Sequence, residues 1–167
     1  MLKIVKFPAP ILRQRMPEFD FANPLMDPIE LEKYMVETML EHDGIGLAAN
    51  QAGIETRMFV MGHRDNPDAA QAFFNPTIIG NTENIADMEE GCLSFPGIYV
   101  KIKRPTSIKA RWQNSRGEIE EGEFDGYNCK CFLHEYDHLE GITFQDRVST
   151  LKWAMAVKKI KQKRKHK

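Results

Sequence analysis

Two histidines four residues apart mark the segment HEYDH, residues 134–138, as a candidate reactive centre. On a helix, His134 and His138 lie about 40° apart around the axis and roughly 6 Å apart along it, so both imidazoles can reach one metal ion. Glu135 then lies beside that ion, where it can accept a proton from water. The pattern predicts a metal centre with a general base, although two exposed histidines on a helix surface would leave the same pattern.

A metal centre needs a third protein ligand, and its position distinguishes classes of metalloenzyme. In the zinc endopeptidase pattern HExxHxxGxxH, Gly141 is present, but Phe144 stands where the last histidine would ligate. Glu140 and Asp146 are too close to His138 in sequence for a distant glutamate ligand. We therefore expect the third ligand upstream, where the candidates are several carboxylates and Cys92, Cys129, Cys131, His42 and His63.

Cys129 and Cys131 offer an alternative, in which a non-catalytic protein holds a structural zinc ion with His134 and His138. Only two residues separate Cys131 from His134, whereas about 12 usually separate the pairs of a Cys2His2 site. The Cys131 side chain also tilts towards the helix N-terminus, away from His138. Both thiols could equally be small core residues.

Length and composition indicate an ordinary folded chain. The 167 residues, 42% hydrophobic and 28% charged, suit one domain, residues 1–167. Three cysteines do not make a disulfide framework, which predicts a reducing compartment. No apolar run approaches the roughly 18–20 residues of a membrane span, and prolines and charges interrupt the first 19 residues, so we expect neither a membrane helix nor a signal peptide.

The charge is unevenly distributed. The basic C-terminal tail, residues 158–167, holds seven Lys or Arg and no acid, while the other 157 residues hold 16 bases and 24 acids, a net charge of −8. A protein that binds nucleic acid over its whole surface would be basic throughout. The tail is therefore either a solvated helix end or a local phosphate-binding segment.

Three helices are predicted from apolar spacing and end signals. Asp27-Pro28 is typical of a helix start, Asp43-Gly44 of its end, and Gly141 of a C-terminal cap. The expected ranges are Ile29 to about His42, about Tyr127 to Glu140, and a last helix from Ser149 or Thr150 into the tail.

Strands are predicted between the first two helices, from β-branched and aromatic alternation in residues 56–62, 73–80 and 97–114. Residues 63–71 read as a turn or loop, and Asn114–Gly117 as a hairpin turn. The order helix, strands, helix, helix predicts an α+β fold. We expect antiparallel β-sheets around a central metal-binding helix, with an N-terminal helix and a C-terminal helix.

Three segments together resemble the peptide deformylase family, whose motifs are GxGLAAxQ, EGCLS and HExDH in that order. They stand here as GIGLAANQ (44–51), EGCLS (90–94) and HEYDH (134–138), and the resemblance covers nearly the whole chain. It implies hydrolysis of the formyl group from N-formylmethionyl peptides, with release of formate and a free amino terminus.

The resemblance also implies a ligand set. Cys92, His134 and His138 would bind one divalent metal ion, with water in the open fourth position. Such a set suits zinc, but the resemblance implies Fe²⁺ in cells, with Zn²⁺ possible in the purified protein.

The remaining roles follow from the same resemblance. Glu135 would act as general base and then acid, while the Gln51 side-chain amide and the Leu93 backbone N–H would stabilise the oxyanion. The strand after EGCLS would pair with the peptide in a substrate cleft lined by Ile45, Gly46 and Gly91.

Two positions depart from the commoner family pattern, in which an aliphatic residue is usual where Lys130 stands and Gln is common where Leu133 stands. The Lys130 stem could line an apolar pocket while its amine points outward. Arg104 fits an arginine expected after EGCLS.

The resemblance further suggests that the basic C-terminal tail contacts ribosomal RNA near the nascent-chain exit, and we expect a cytoplasmic monomer.

Overall fold

The structure, a computed structural model, describes residues 2–165. Met1 and the last two residues of the basic C-terminal tail, His166 and Lys167, lie outside the described residues. One helix is followed by seven strands and then by two helices. The order along the chain is α1 (Pro28–Glu41), β1 (Gly46–Ala48), β2 (Met58–His63), β3 (Asn66–Asn81), β4 (Ile85–Cys92), β5 (Phe95–Pro105), β6 (Ser107–Gln113), β7 (Ile119–Asp125), α2 (Gly126–Leu139) and α3 (Thr150–Lys165). Short 3₁₀ helices span Pro10–Arg13, Ala49–Ala52 and Phe144–Arg147.

The strands form two antiparallel sheets. One has five strands in the order β1-β2-β3-β6-β7, and the other is the hairpin β4–β5. Strand β7 is an outer strand of the larger sheet, and four of its seven residues are exposed acids, namely Glu120, Glu121, Glu123 and Asp125.

Helices α1 and α2 cover opposite faces of the larger sheet. In β2, Met58 and Val60 pack with the α1 cluster that contains Met35, whereas Phe59 packs with Phe132 of α2. Both faces of β2 are therefore buried, which explains its nearly continuous apolar sequence. Helix α2 lies between this sheet and the β4–β5 hairpin, which confirms the expected central helix and the α+β class.

The β4–β5 hairpin carries the third hydrophobic cluster. Cys92 pairs with Phe95 in the ladder, so Leu93 and Ser94 form its two-residue turn. Phe95 packs against Phe144 and against Trp153 of α3, with ring centroids 5.0 and 5.6 Å apart. Helix α3 is thus attached to the hairpin through its first turns.

The predicted helix ends agree with the structure. The Asp27 side chain accepts hydrogen bonds from the backbone N–H groups of Ile29 and Glu30 at 3.0 Å, which caps α1. Gly141 follows α2 at a φ of 72°, and a Cβ there would lie 2.7 Å from the backbone oxygen of Arg13, so glycine is required for two reasons.

The loop prediction for residues 63–71 was wrong, and strands β1 and β4 were not predicted. Residues 63–71 were expected to form a turn or loop, but β3 begins at Asn66 and only Arg64 and Asp65 separate it from β2. Backbone pairing with β2 overrides the weak strand propensity of its Asn, Pro and Asp residues. Strand β4 was not predicted, because its sequence, with three acids and a glycine, lacks a β-branched and aromatic alternation. Within residues 2–165, no helix has both the length and the hydropathy needed to cross a membrane.

Candidate metal centre and catalytic cleft

Helix α2 places His134 and His138 one turn apart, on the side that faces the β4–β5 hairpin. Their Nε2 atoms lie 3.2 Å apart and their ring centroids 4.9 Å apart, and both side chains are buried. Burial and the neighbouring His134 and Arg104 lower the pKa of His138 well below its usual value. His138 is therefore neutral near pH 7, which is the state in which imidazole binds a metal.

Cys92, at the end of β4, approaches the two imidazoles from the hairpin. Its Sγ lies 3.3 Å from His138 Nε2, and the ligand atoms of the three residues all lie within 4.8 Å of one another. A tetrahedral zinc site has edges of about 3.4 Å between nitrogens and about 3.6 Å between nitrogen and sulfur. One sulfur and two nitrogens at these separations fit a single divalent cation.

Behind the histidines, Glu90 and Arg104 form a buried hydrogen-bond network. Glu90 Oε1 accepts from His134 Nδ1 at 2.8 Å, and Arg104 donates to both Glu90 oxygens at 2.8 and 3.0 Å. Burial alone would raise the pKa of Glu90, but the hydrogen bonds from His134 and Arg104 hold it at about 2. Because Nδ1 of His134 faces a carboxylate, it carries a proton, so Nε2 is the nitrogen that a metal would bind once it has given up its own proton.

The network continues to Asp137. Arg104 donates to Asp137 at 2.8 Å, and Arg147 donates to the same carboxylate at 2.6 and 3.0 Å. Sequence reasoning assigned no role to Glu90 or Asp137. Both are acids inside the EGCLS and HEYDH motifs, and acids next to histidine ligands commonly orient them.

Glu135 is buried at the opposite side of the histidine pair. Burial raises its pKa to about 7, and its Oε2 atom has no hydrogen-bond partner among residues 2–165. Its Oε1 atom lies so close to Gly46 that a Cβ on that residue would be 2.5 Å away. Gly46 is therefore needed for β1 to pass beside this carboxylate.

Gln51 lies in the Ala49–Ala52 3₁₀ helix, and one hydrogen bond fixes which way its side-chain amide points. Its Oε1 accepts from the backbone N–H of Ala48 at 3.0 Å, so Nε2 points the other way. Nε2 lies 3.4 Å from Cys92 Sγ and 3.2 Å from Ser94 Oγ. A buried neutral donor is thus directed at the ligand cluster.

These groups line one cleft of about 580 Å³. Ile45 and Gly46 form one wall, Gly91 and Leu93 belong to the hairpin wall, and the cleft also reaches Gln51, Cys92, His134 and Glu135. The structure therefore gathers eight of the nine predicted site residues around this cleft, and the ninth, His138, is buried behind it. Their roles stay predictions.

The two unusual positions on α2 have different environments. Lys130 lines the cleft, donates to the Glu89 backbone oxygen at 2.9 Å and lies over the Tyr127 ring at 4.3 Å. Leu133 is buried in the core between α2 and the larger sheet. Only Lys130 therefore changes the surface of the cleft.

The alternative zinc site does not form. Cys129 Sγ donates to Pro105 O at 3.3 Å and Cys131 Sγ donates to Ile45 O at 3.4 Å, so both thiols point away from the histidines. Across residues 2–165, Cys92, His134 and His138 are the one group of three or more His, Cys, Asp or Glu residues close enough to hold a metal ion.

Comparisons with known proteins relate this chain to one family. A family model described as polypeptide deformylase matches residues 1–154. The peptide deformylase of Thermotoga sp. (strain RQ2) is 44% identical over 161 residues, which cover 96% of this chain and 94% of that protein. The crystal structure of the Thermotoga maritima peptide deformylase superposes with a TM-score of 0.82 at 41% identity, over 89% of this chain and 98% of that chain. The Synechococcus elongatus peptide deformylase in complex with actinonin gives a TM-score of 0.88 at 30% identity, over 95% and 86%.

Proposed function

The chain belongs to the peptide deformylase family, and on that premise we propose that its cleft hydrolyses the formyl group of N-formylmethionyl nascent peptides. Water adds to the formyl carbon, the carbon–nitrogen bond breaks, and formate and a free amino terminus leave. The observation that carries this proposal is the convergence of Cys92, His134 and His138 on one point of a peptide-sized cleft.

Cys92, His134 and His138 would hold the metal ion. A divalent cation there supplies a Lewis acid that lowers the pKa of nearby water and makes hydroxide available near neutral pH. We propose Fe²⁺ in cells and Zn²⁺ as an alternative in purified protein, since affinity alone favours zinc and availability decides. Elemental analysis of anaerobically purified protein, run beside a formate assay, tests this choice, and protein that is active with zinc but inactive when reloaded with iron would contradict it.

Glu135 moves the proton in the proposed reaction. Its carboxylate adjoins His134 in sequence, lines the cleft and keeps one oxygen unbonded, so it can accept a proton from the attacking water. It then delivers this proton to the departing amine nitrogen. Glu135→Ala should retain the metal and lose most turnover.

Gln51 and Leu93 stabilise the charge that develops on the formyl oxygen. The Gln51 amide cannot turn its oxygen into the cleft without losing the hydrogen bond from Ala48, so it presents a donor. The Leu93 N–H belongs to the hairpin turn immediately after Cys92. Loss of one such donor typically costs about 10²–10³ in rate.

The peptide would lie between β1 and the hairpin, along Ile45, Gly46 and Gly91. Gly46 already lies in contact range of Glu135 and Cys131. A formyl group is the smallest acyl group, so a site this confined favours it over acetyl by size. Acetyl-peptide hydrolysis at a comparable rate would contradict this assignment.

A paired assay tests the reaction class. We expect formate release from a formyl-Met peptide and no cleavage of casein, which an HExxH endopeptidase would degrade. Cys92→Ala should lose the metal while Cys131→Ala keeps it, and the reverse would restore the structural-zinc alternative.

We also propose that the basic C-terminal tail attaches the enzyme, acting as a cytoplasmic monomer, to ribosomal RNA. Six Lys or Arg side chains are exposed in residues 158–165, and phosphate contacts of this kind weaken steeply with salt. Deleting 158–167 should reduce ribosome association and leave hydrolysis of a short formyl-peptide intact. Unchanged association at low salt would reject this role.

A further inference from the structure

The N-terminal strap, residues 4–7, lies across two segments that the sequence places far apart. The backbone N–H of Val5 donates to Gln51 O at 2.7 Å, and that of Phe7 donates to Ser94 O at 3.0 Å. The Phe7 ring stacks on Phe95 with centroids 4.7 Å apart. The strap therefore ties the 3₁₀ helix that carries Gln51 to the hairpin turn that carries Leu93.

Lys6 completes this attachment from the cleft side. Its Nζ donates to Leu93 O at 2.6 Å, and the side chain lines the cleft. Leu93 and Ser94 are the two turn residues between Cys92 and Phe95. Their carbonyl oxygens accept hydrogen bonds from Lys6 Nζ and the Phe7 N–H, respectively. The strap thus binds both carbonyl groups of the turn.

The direction of the Leu93 N–H depends on the torsions of this turn. Cys92 restrains the turn on one side through the ligand cluster, and the strap restrains it on the other. Without Lys6, the Leu93 carbonyl would exchange partners with water and the peptide units of the turn could rotate. Oriented donors stabilise an oxyanion because no reorganisation is needed during the reaction.

We propose that Lys6 is a positioning residue for the oxyanion site. It holds the Leu93–Ser94 peptide unit, which through the Leu93 torsions limits rotation of the adjoining Cys92–Leu93 unit whose N–H donates, and it adds a positive charge at the rim of the cleft. This inference rests on the proposed deformylase reaction. Lys6 is exposed, so its replacement should leave folding intact. Because Lys6 acts through Leu93, its loss should cost less than loss of the donor itself.

The test compares Lys6→Met, Lys6→Arg and the matched control Lys3→Met. Lys3 is an exposed lysine near the strap that makes no side-chain hydrogen bond or ion pair within the described part of the chain. For each variant we would measure kcat and KM for formate release, bound metal, melting temperature, and the ¹⁵N order parameter of Leu93. Lys6→Met should lower kcat about ten-fold with KM within about two-fold, reduce the Leu93 order parameter, and leave metal content and melting temperature unchanged. Lys6→Arg should restore most of the rate, and Lys3→Met should match the wild type.

A Lys6→Met kcat within two-fold of the wild type would overturn the proposal. An effect of Lys6→Met on KM alone would also overturn the proposal, because Lys6 would then be a substrate contact. An equal loss of kcat in Lys3→Met would overturn it as well. So would a lower melting temperature of Lys6→Met that Lys6→Arg does not reverse. If the metal-loaded wild type releases no formate, the proposed function fails, while a selective fall in the Leu93 order parameter in Lys6→Met would still support the positioning contact.

Discussion

Replacement of Arg104 by Leu removes the residue that connects the two acids of the buried network. The guanidinium is 4% exposed and makes three hydrogen bonds of 2.8–3.0 Å to Glu90 and Asp137. Asp137 keeps Arg147, but Glu90 keeps only His134. Breaking a buried ion pair from one side typically costs about 3–5 kcal/mol, because a charge stays buried without its partner.

Lys103→Leu is a matched control on the same strand. Its ammonium is 78% exposed and lies 3.4 Å from Asp87, so its loss should cost no more than about 1 kcal/mol. For a chain of this size, about 2–4 °C of melting temperature corresponds to 1 kcal/mol. We therefore expect Arg104→Leu to melt about 6–20 °C below the wild type, and Lys103→Leu to lie within about 4 °C of it.

The assay is thermal and urea unfolding of both variants with a chelator present, so that weaker metal binding does not enter the comparison. Adding Glu90→Gln to Arg104→Leu should recover part of the loss, because the amide still accepts from His134 without leaving a charge buried. The reasoning would be refuted if Arg104→Leu unfolds within 1 kcal/mol of Lys103→Leu, or if the second substitution makes the loss larger.

Three further predictions concern the cleft, the metal and the sheet. Gly46→Ala places a methyl 2.5 Å from Glu135 Oε1, so the rate of formate release should fall about 100-fold. The control Gly80→Ala, whose new methyl would lie 3.8 Å from its nearest neighbour, should not change that rate. Equal rates for the two variants would contradict the prediction. A chelator should lower the melting temperature of the wild type, because a metal bound only by the folded state stabilises that state. It should not change the melting temperature of Cys92→Ala. Equal shifts for the two proteins in a thermal scan would place the metal elsewhere. Gly117→Ala at a φ of 79° should cost about 1 kcal/mol in urea unfolding with full activity, and an altered kcat would show that this turn communicates with the cleft.

The helices were predictable because their signals are local. Asp27 and Pro28 determine the start of α1 through one side-chain cap and one restricted φ angle. Gly141 is needed immediately after α2 for its positive φ. Strand β4 carried no such signal, since its sequence IADMEEGC lacks β-branched and aromatic alternation and its conformation depends on pairing with β5. Strand formation of this kind is a tertiary effect, which propensity does not capture.

The histidine pair was evident from spacing alone, whereas the third ligand was not. Cys92 reaches His138, 46 positions away, only because the hairpin packs against α2 through Arg104. Residue types left all three cysteines as candidates, helix geometry and spacing disfavoured Cys129 and Cys131, and the motif resemblance favoured Cys92. The contact of Lys6 with Leu93 had no sequence signal, because it joins two loops across 87 positions.

The acidic outer strand β7 has a consequence for how these molecules behave at high concentration. An outer strand exposes unpaired N–H and C=O groups that can hydrogen-bond to the same strand of another molecule and start aggregation. Two β7 strands brought together would bring eight exposed carboxylates to one border, of which one on each strand, Glu121, is paired with Lys109 and Arg111 of β6. Repulsion between the remaining carboxylates disfavours edge-to-edge pairing of two β7 strands and so opposes aggregation through this strand.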